Sequence, residues 1–163
     1  MTTIAVTGHM DLAAEGVPAI RAALDALLRR YARDGSLVGV SCIAEGSDSV
    51  FAQSVLANGG RLIAIIPSRD YRRTVVDPRH APLFDHLVEA ADEVVVMPHE
   101  TADRAAYDAA NAALLEHADR LVAVWNGEPP SGKGGGTADV VLRARAQGIP
   151  VDVVWPEAAR RTG

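Results

Sequence analysis

The sequence predicts an α/β protein with a mainly parallel sheet of about six strands, covered by helices on both sides. Three observations carry this. Short apolar runs recur along all 163 residues. Longer stretches with helical spacing separate them. The runs are apolar on both faces, as strands covered on both sides are. No internal repeat and no linker divides the chain. One domain over residues 1–156 is therefore expected, with residues 157–163 as a frayed tail.

Residues 4–6 form the first expected strand, and Thr7, Gly8, His9, Met10 and Asp11 its polar exit turn. Residues 15–33 read as a helix, because Ile20, Leu24, Leu27, Leu28 and Tyr31 fall on one face. Asp34-Gly35 stops it. Residues 37–43 are the second strand, and Glu45-Gly46-Ser47-Asp48 its exit. Ser47 or Asp48 is suited to cap the next helix, which ends at Asn58-Gly59-Gly60. Residues 61–66 are the third strand, stopped by Pro67 and followed by the polar stretch 68–73. Residues 74–81 hold Pro78 and no clear period, and read as a loop. Pro82 suits the first turn of a short helix over 82–91. A strand over 93–97, a helix over 102–117 and a strand over 121–125 follow. A last helix over 137–147 stops at Gly148 and Pro150, and residues 151–155 form the sixth strand.

Composition narrows the class. Hydrophobic residues make up 48% and charged residues 23%, so a packed core without staples is expected. The single cysteine, Cys42, lies in an apolar run and is expected as a buried, inert thiol. Met1-Thr2-Thr3 leads into a strand without a basic region or apolar leader, and no apolar run reaches membrane-spanning length. A cytoplasmic location with no membrane partner is the expectation. The formal net charge of −5 argues against nucleic acid as a partner.

The most informative stretch is 126–139, rich in glycine, between a strand and a helix start. Glycines let the backbone approach a phosphate, and a helix N-terminus offers unpaired N–H groups. Gly134, Gly135 and Gly136 would cradle the anion. Thr137 would cap the helix or donate its hydroxyl, and Lys133 would add a charge. A plain mobile connection is the alternative. In parallel sheets ligands bind at the C-terminal ends of strands. There lie Thr7, Gly8 and His9, Glu45, Gly46 and Asp48, Arg69 and the glycine stretch. His9 can bond a phosphate or sugar, or simply shape its turn. Glu45 and Asp48 can hold ribose hydroxyls or act on an anomeric carbon; capping by Asp48 and solvation of Glu45 are the alternatives. Arg69 suits bidentate phosphate contact or solvent. Tyr107 and Asn111 share a helix face, and Asn111 can touch a ligand or order a loop carbonyl.

Other chemistries fit poorly. The dinucleotide fingerprint is absent after the first strand, where Gly8 stands alone. The phosphate-loop pattern fits Gly127, Gly132 and Lys133 but places Gly134 where a magnesium-binding hydroxyl belongs. His80, His86, His99 and His117 lack ligand spacing, so neither metal nor cofactor is expected.

Taken together, Thr7-Gly8-His9, Glu45-Gly46-Ser47-Asp48, Tyr107 with Asn111, residues 118–125 and Gly134-Gly135-Gly136-Thr137 resemble a known group. It is the Rossmann-like superfamily joining the Lonely Guy (LOG) phosphoribohydrolases, often mislabelled lysine decarboxylases, with the DNA-processing protein A family. The chain is most similar to its uncharacterised nucleotide-binding members. The resemblance implies a three-layer α/β/α fold, a nucleotide-like ligand with its phosphate on the glycine loop, and a homodimer. The hydrolases carry P-G-G-x-G-T-x-x-E. Aligning Gly136-Thr137 puts Val140 at the catalytic glutamate, with Asp139 one residue early. Their Arg-Lys pair falls on Ala110 and Asn111, and residues 127–133 are longer than the hydrolase loop. The expectation is a binder of a nucleotide or nucleotide-derived molecule. Hydrolysis of an N-glycosidic bond by Glu45 or Asp139 is the alternative, and a regulatory subunit with a vestigial site the third reading.

Overall fold

The computed structural model describes residues 1–33, 35–132 and 136–163. Their strands are β1 (Thr2–Gly8), β2 (Leu37–Ser41), β3 (Arg61–Ile66), β4 (Glu93–Val96), β5 (Arg120–Val124) and β6 (Val151–Val154). They form one parallel sheet in the order β4-β3-β2-β1-β5-β6. The helices are α1 (Val17–Ala32), α2 (Ser47–Ala57), the single turn α3 (Tyr71–Thr74), α4 (Ala81–Ala90), α5 (Arg104–Glu116) and α6 (Thr137–Ala146).

Alternation along β1 sorts the layers. Ile4 and Val6 pack with Ile20, Leu24 and Leu28 of α1 and with Phe51 and Val55 of α2. Ala5 faces the other way, in one cluster with Leu114 and Leu115 of α5 and Val140 and Val141 of α6. Leu62, Ala64 and Ile66 of β3 meet Phe84 and Leu87 of α4. Each fully buried Leu, Ile or Phe contributes about 1.5–3 kcal/mol. Among the described residues no helix is long and apolar enough to cross a membrane.

The α/β architecture follows the expectation, with differences at element ends. Thr7 and Gly8 belong to β1, where they pair with Ala123 and Val124 of β5. Residues 14–16 form a separate 3-10 turn before α1. The expected loop over 74–81 is preceded by the helical turn α3, at whose end Thr74 Oγ1 donates to Asp70 O at 2.9 Å. Gly46, not Ser47 or Asp48, is the N-cap of α2.

The tail expected to fray is tied to the body. Ala159 is 1% exposed and belongs to the core cluster around α1. Ala13 N–H donates to Arg160 O at 2.8 Å, and Thr162 N–H to Asp11 O at 2.8 Å. Leu12 and Arg161 pair as an isolated antiparallel bridge. The expectation of fraying rests on terminal position alone, which carries no sign of this long-range pairing.

Candidate functional site

Strand order changes direction at β1. The chain moves outward through β2, β3 and β4, then returns to place β5 on the other side of β1. The two exits diverge there and leave a crevice at the C-terminal ends of the strands. A cavity of about 590 Å³ fills it, within the size range of small-molecule sites.

Two glycines shape its floor. A Cβ on Gly8 would lie 2.4 Å from Ser47 Cβ, so β1 and the start of α2 approach where only glycine fits. Gly46 has φ +82°, and a Cβ there would lie 2.5 Å from Met10 O. Ser47 fixes the contact, its Oγ donating to His9 O at 2.7 Å and its N–H to the same oxygen at 3.2 Å.

His9 is 8% exposed and lines the cavity. Its Nε2 accepts the Asn126 N–H at 3.2 Å, which places the proton of the neutral ring on Nδ1. Its ring meets Trp155 edge-on, with centroids 5.5 Å apart. Burial first, and then the Arg161 charge, lowers the imidazole pKa below its ordinary value. His9 thereby pins the first turn of the glycine-rich loop to β1. Asn126 Oδ1 accepts the Glu128 N–H at 3.0 Å, and Trp125 Nε1–H donates to Glu128 O at 3.0 Å.

At the β2 side the cavity meets Cys42, Ala44 and Asp48. Asp48 accepts the Ala44 N–H at 3.4 Å, a long bond for a carboxylate. Burial pushes its carboxyl up to about 7. Burial, with the Asp48 charge second, raises the Cys42 thiol far above its ordinary value, consistent with the inert thiol expected. Cys42 is nonetheless only partly buried and faces the cavity. Between them Ile43 has φ +57°, a strained conformation for a β-branched residue. Its N–H donates to Ser41 Oγ at 3.1 Å, its carbonyl lies 3.1 Å from His80 Nε2, and its side chain is fully buried. Nothing in the local sequence marks this conformation, and the His80 partner is remote in the chain. Tyr71 and Tyr107 complete this end, their rings 6.4 Å apart and edge-on.

Of the residues singled out by sequence, Thr7, Gly8, His9, Asp48, Asn111, Gly136, Thr137 and Asp139 line this one cavity. Gly46 does not line it but packs against the backbone of His9 and Met10, which do. Glu45 does not line it, and its side chain is exposed. Arg69 is likewise absent from the lining and is paired with Glu100. Lys133, Gly134 and Gly135 lie outside the described residues. Thr137 is not the cap of α6. Gly136 is, and its N–H donates to Asp139 Oδ2 at 3.1 Å.

The reading of motifs missed Asp11, Glu128 and Arg161. Arg161 Nε donates to Asp11 Oδ1 at 2.9 Å, and Arg161 Nη1 lies 3.7 Å from Glu128 Oε2. Burial opposes ionisation of Asp11, but the Arg161 hydrogen bond and charge hold its carboxyl below the usual range. All three residues line the cavity. Among the described lining residues the carboxyls of Asp11, Asp48, Glu128 and Asp139 face one cation, Arg161. Such a lining leaves room for one anionic group at the α6 N-terminus.

No protein-family profile matches the chain, and no curated protein does. Solved structures do. DNA processing protein A from Streptococcus pneumoniae is 20% identical with a TM-score of 0.69, over 94% of this chain and 50% of that one. This chain thus spans half the length of that structure. DNA processing protein A from Helicobacter pylori, described for its unique single-stranded DNA binding mode, is 17% identical with a TM-score of 0.66, over 93% of this chain and 64% of that one. The Moco carrier protein from Chlamydomonas reinhardtii is 26% identical with a TM-score of 0.56, over 96% and 79%.

The first two correct the exclusion of nucleic acid drawn from net charge. Formal charge is summed over a whole chain, whereas binding depends on the local surface, and a DNA-binding protein shares this architecture. The chain has the Rossmann-like α/β/α fold of DNA processing protein A, a family its motifs already resemble, and of the Moco carrier protein.

Proposed function

We propose that the chain binds a nucleotide or nucleotide-derived small molecule carrying one anionic group, in the crevice between the β1 and β5 exits. The carrying observation is that Thr7, Gly8, His9, Asp48, Asn111, Gly136 and Thr137, remote in sequence, line one 590 Å³ cavity. The anionic group sits at the N-terminus of α6, where backbone N–H groups and the helix dipole favour negative charge. The sugar and base extend toward Asp48, Asn111 and the two tyrosines, a mixed apolar and hydrogen-bonding wall suited to a heterocycle.

The test is thermal stabilisation by a panel of nucleoside 5′-monophosphates, with the Thr137→Asp variant in parallel. A ligand at about 100 times its dissociation constant adds about 2.7 kcal/mol. The proposal expects this for wild type with at least one nucleotide. It expects none for Thr137→Asp, whose new carboxylate repels the phosphate. Equal stabilisation of both proteins places the phosphate elsewhere.

One observation favours a second reading, N-glycosidic hydrolysis. The Asp48 carboxyl lines the cavity and holds its proton to about pH 7, as an acid that protonates a leaving base must. Glu45, exposed and off the cavity, has no part in this version. Release of free base from a nucleoside monophosphate, abolished in Asp48→Asn, supports hydrolysis. Intact nucleotide leaves binding as the function.

A further inference from the structure

Resting on that reading of the cavity, we propose that Arg161, delivered by the C-terminal tail, is a phosphate-binding residue of the site. The tail is not a passive extension. Its pairing with residues 11–13 holds the Arg161 backbone beside the β1 exit. The guanidinium lies at the cavity, between Asp11 of that exit and Glu128 of the glycine-rich loop.

Its bonding leaves the right groups available. Nε is committed to Asp11 at 2.9 Å. The Nη1 contact with Glu128 is 3.7 Å, beyond hydrogen-bond length. The two terminal nitrogens make no hydrogen bond with any described residue. A guanidinium anchored through Nε presents its remaining N–H groups as a fork, the geometry that takes phosphate bidentately. Asp11 orients the fork by accepting the Nε–H. The phosphate displaces the loose Glu128 contact. Arg69, the sequence's candidate for this role outside the glycine loop, does not line the cavity.

The experiment is calorimetric titration with AMP, GMP, CMP and UMP and with the four parent nucleosides. It uses wild type, Arg161→Ala, Arg161→Lys and Asp11→Asn, each shown to be folded by circular dichroism. Arg161→Ala should weaken monophosphate binding by about 10- to 100-fold, the value of charge-assisted hydrogen bonds. It should leave nucleoside affinity within about twofold, the scatter expected for an uncoupled site. Arg161→Lys should recover part of the loss, as a point charge without the fork. Asp11→Asn, whose amide oxygen still accepts the Arg161 Nε–H but no longer competes for the charge, should leave monophosphate binding as tight or tighter.

An equal loss for monophosphates and nucleosides in Arg161→Ala would reduce the residue to a tail anchor and overturn the proposal. So would unchanged monophosphate affinity, or weakened monophosphate binding in Asp11→Asn. Wild type that binds nucleosides with no gain from the phosphate refutes Arg161 and spares the cavity. Wild type that binds neither set refutes the nucleotide reading and Arg161 with it.

Discussion

Replacing Asp48 by asparagine should stabilise the protein at alkaline pH and do little in acid. The folded carboxyl is raised from 3.8 to about 7 because burial penalises its charged form, and the Ala44 N–H at 3.4 Å offsets little of that. Folding therefore favours the protonated acid. Below about pH 3.8 both states are protonated and Asp48 costs nothing; as pH rises through about 7 the folded protein must carry a buried charge. The span from 3.8 to about 7, at 1.36 kcal/mol per pH unit, sets a cost of about 4 kcal/mol. Water entering the open cavity screens the charge and reduces this to about 2–4 kcal/mol. Asparagine keeps the shape, still accepts the Ala44 N–H and carries no charge. Urea unfolding of both proteins at about pH 4.5 and about pH 8 measures the effect as a difference of differences. The expected gain for Asp48→Asn is under about 1 kcal/mol in acid and about 2–4 kcal/mol at alkaline pH. Equal effects at both values would show a carboxyl unshifted by folding, a loss at alkaline pH would show a stabilised carboxylate, and either would refute the reasoning.

Other positions give independent checks. Gly46→Ala forces a Cβ to 2.5 Å from Met10 O at φ +82°. Backbone strain and overpacking together should cost about 2–6 kcal/mol by denaturant unfolding, and a cost under about 1 kcal/mol would contradict the close approach of the two turns. His9 is neutral where it accepts the Asn126 N–H, and its folded pKa is lowered. Its contribution is full above the unfolded value of 6.5 and is lost as pH falls through the lower folded one. Amide exchange at Asn126 should therefore accelerate in acid, and in His9→Gln that acid-side change should vanish; a flat wild-type profile would count against the pinning role. Asp139→Ala removes the carboxylate that accepts the Gly136 N–H. It should cost about 0.5–2 kcal/mol of thermal stability, and no cost would mean the start of α6 is held by other contacts.

The sheet and its helices were legible because their signals are local. The apolar face of α1 (Ile20, Leu24, Leu27, Leu28) is buried as its spacing predicts. So were many cavity residues, since the polar ends of parallel strands converge by topology. Choosing among those polar residues was harder. Glu45 and Asp48 are three residues apart, yet the start of α2 leaves Glu45 exposed while Asp48 lines the cavity. Arg69 and Arg161 are the reverse of what local context suggests. The first has Glu100 opposite, and the second reaches the site by pairing with residues 150 positions earlier. Ile43 carries no sequence mark of its strain, and its N–H and carbonyl meet Ser41 and the distant His80. Net charge misled most, because a sum of −5 says nothing about any one surface.

The most direct measurement is a crystal structure of the protein with whichever nucleoside 5′-monophosphate stabilises it most. The account predicts its phosphate within hydrogen-bond distance of the backbone N–H groups at Gly136–Ala138 and of the Arg161 guanidinium, with the base beside Asp48 and Tyr107. A nucleotide bound outside the crevice between the β1 and β5 exits, or one inside it with its phosphate turned toward Asp48, would contradict it.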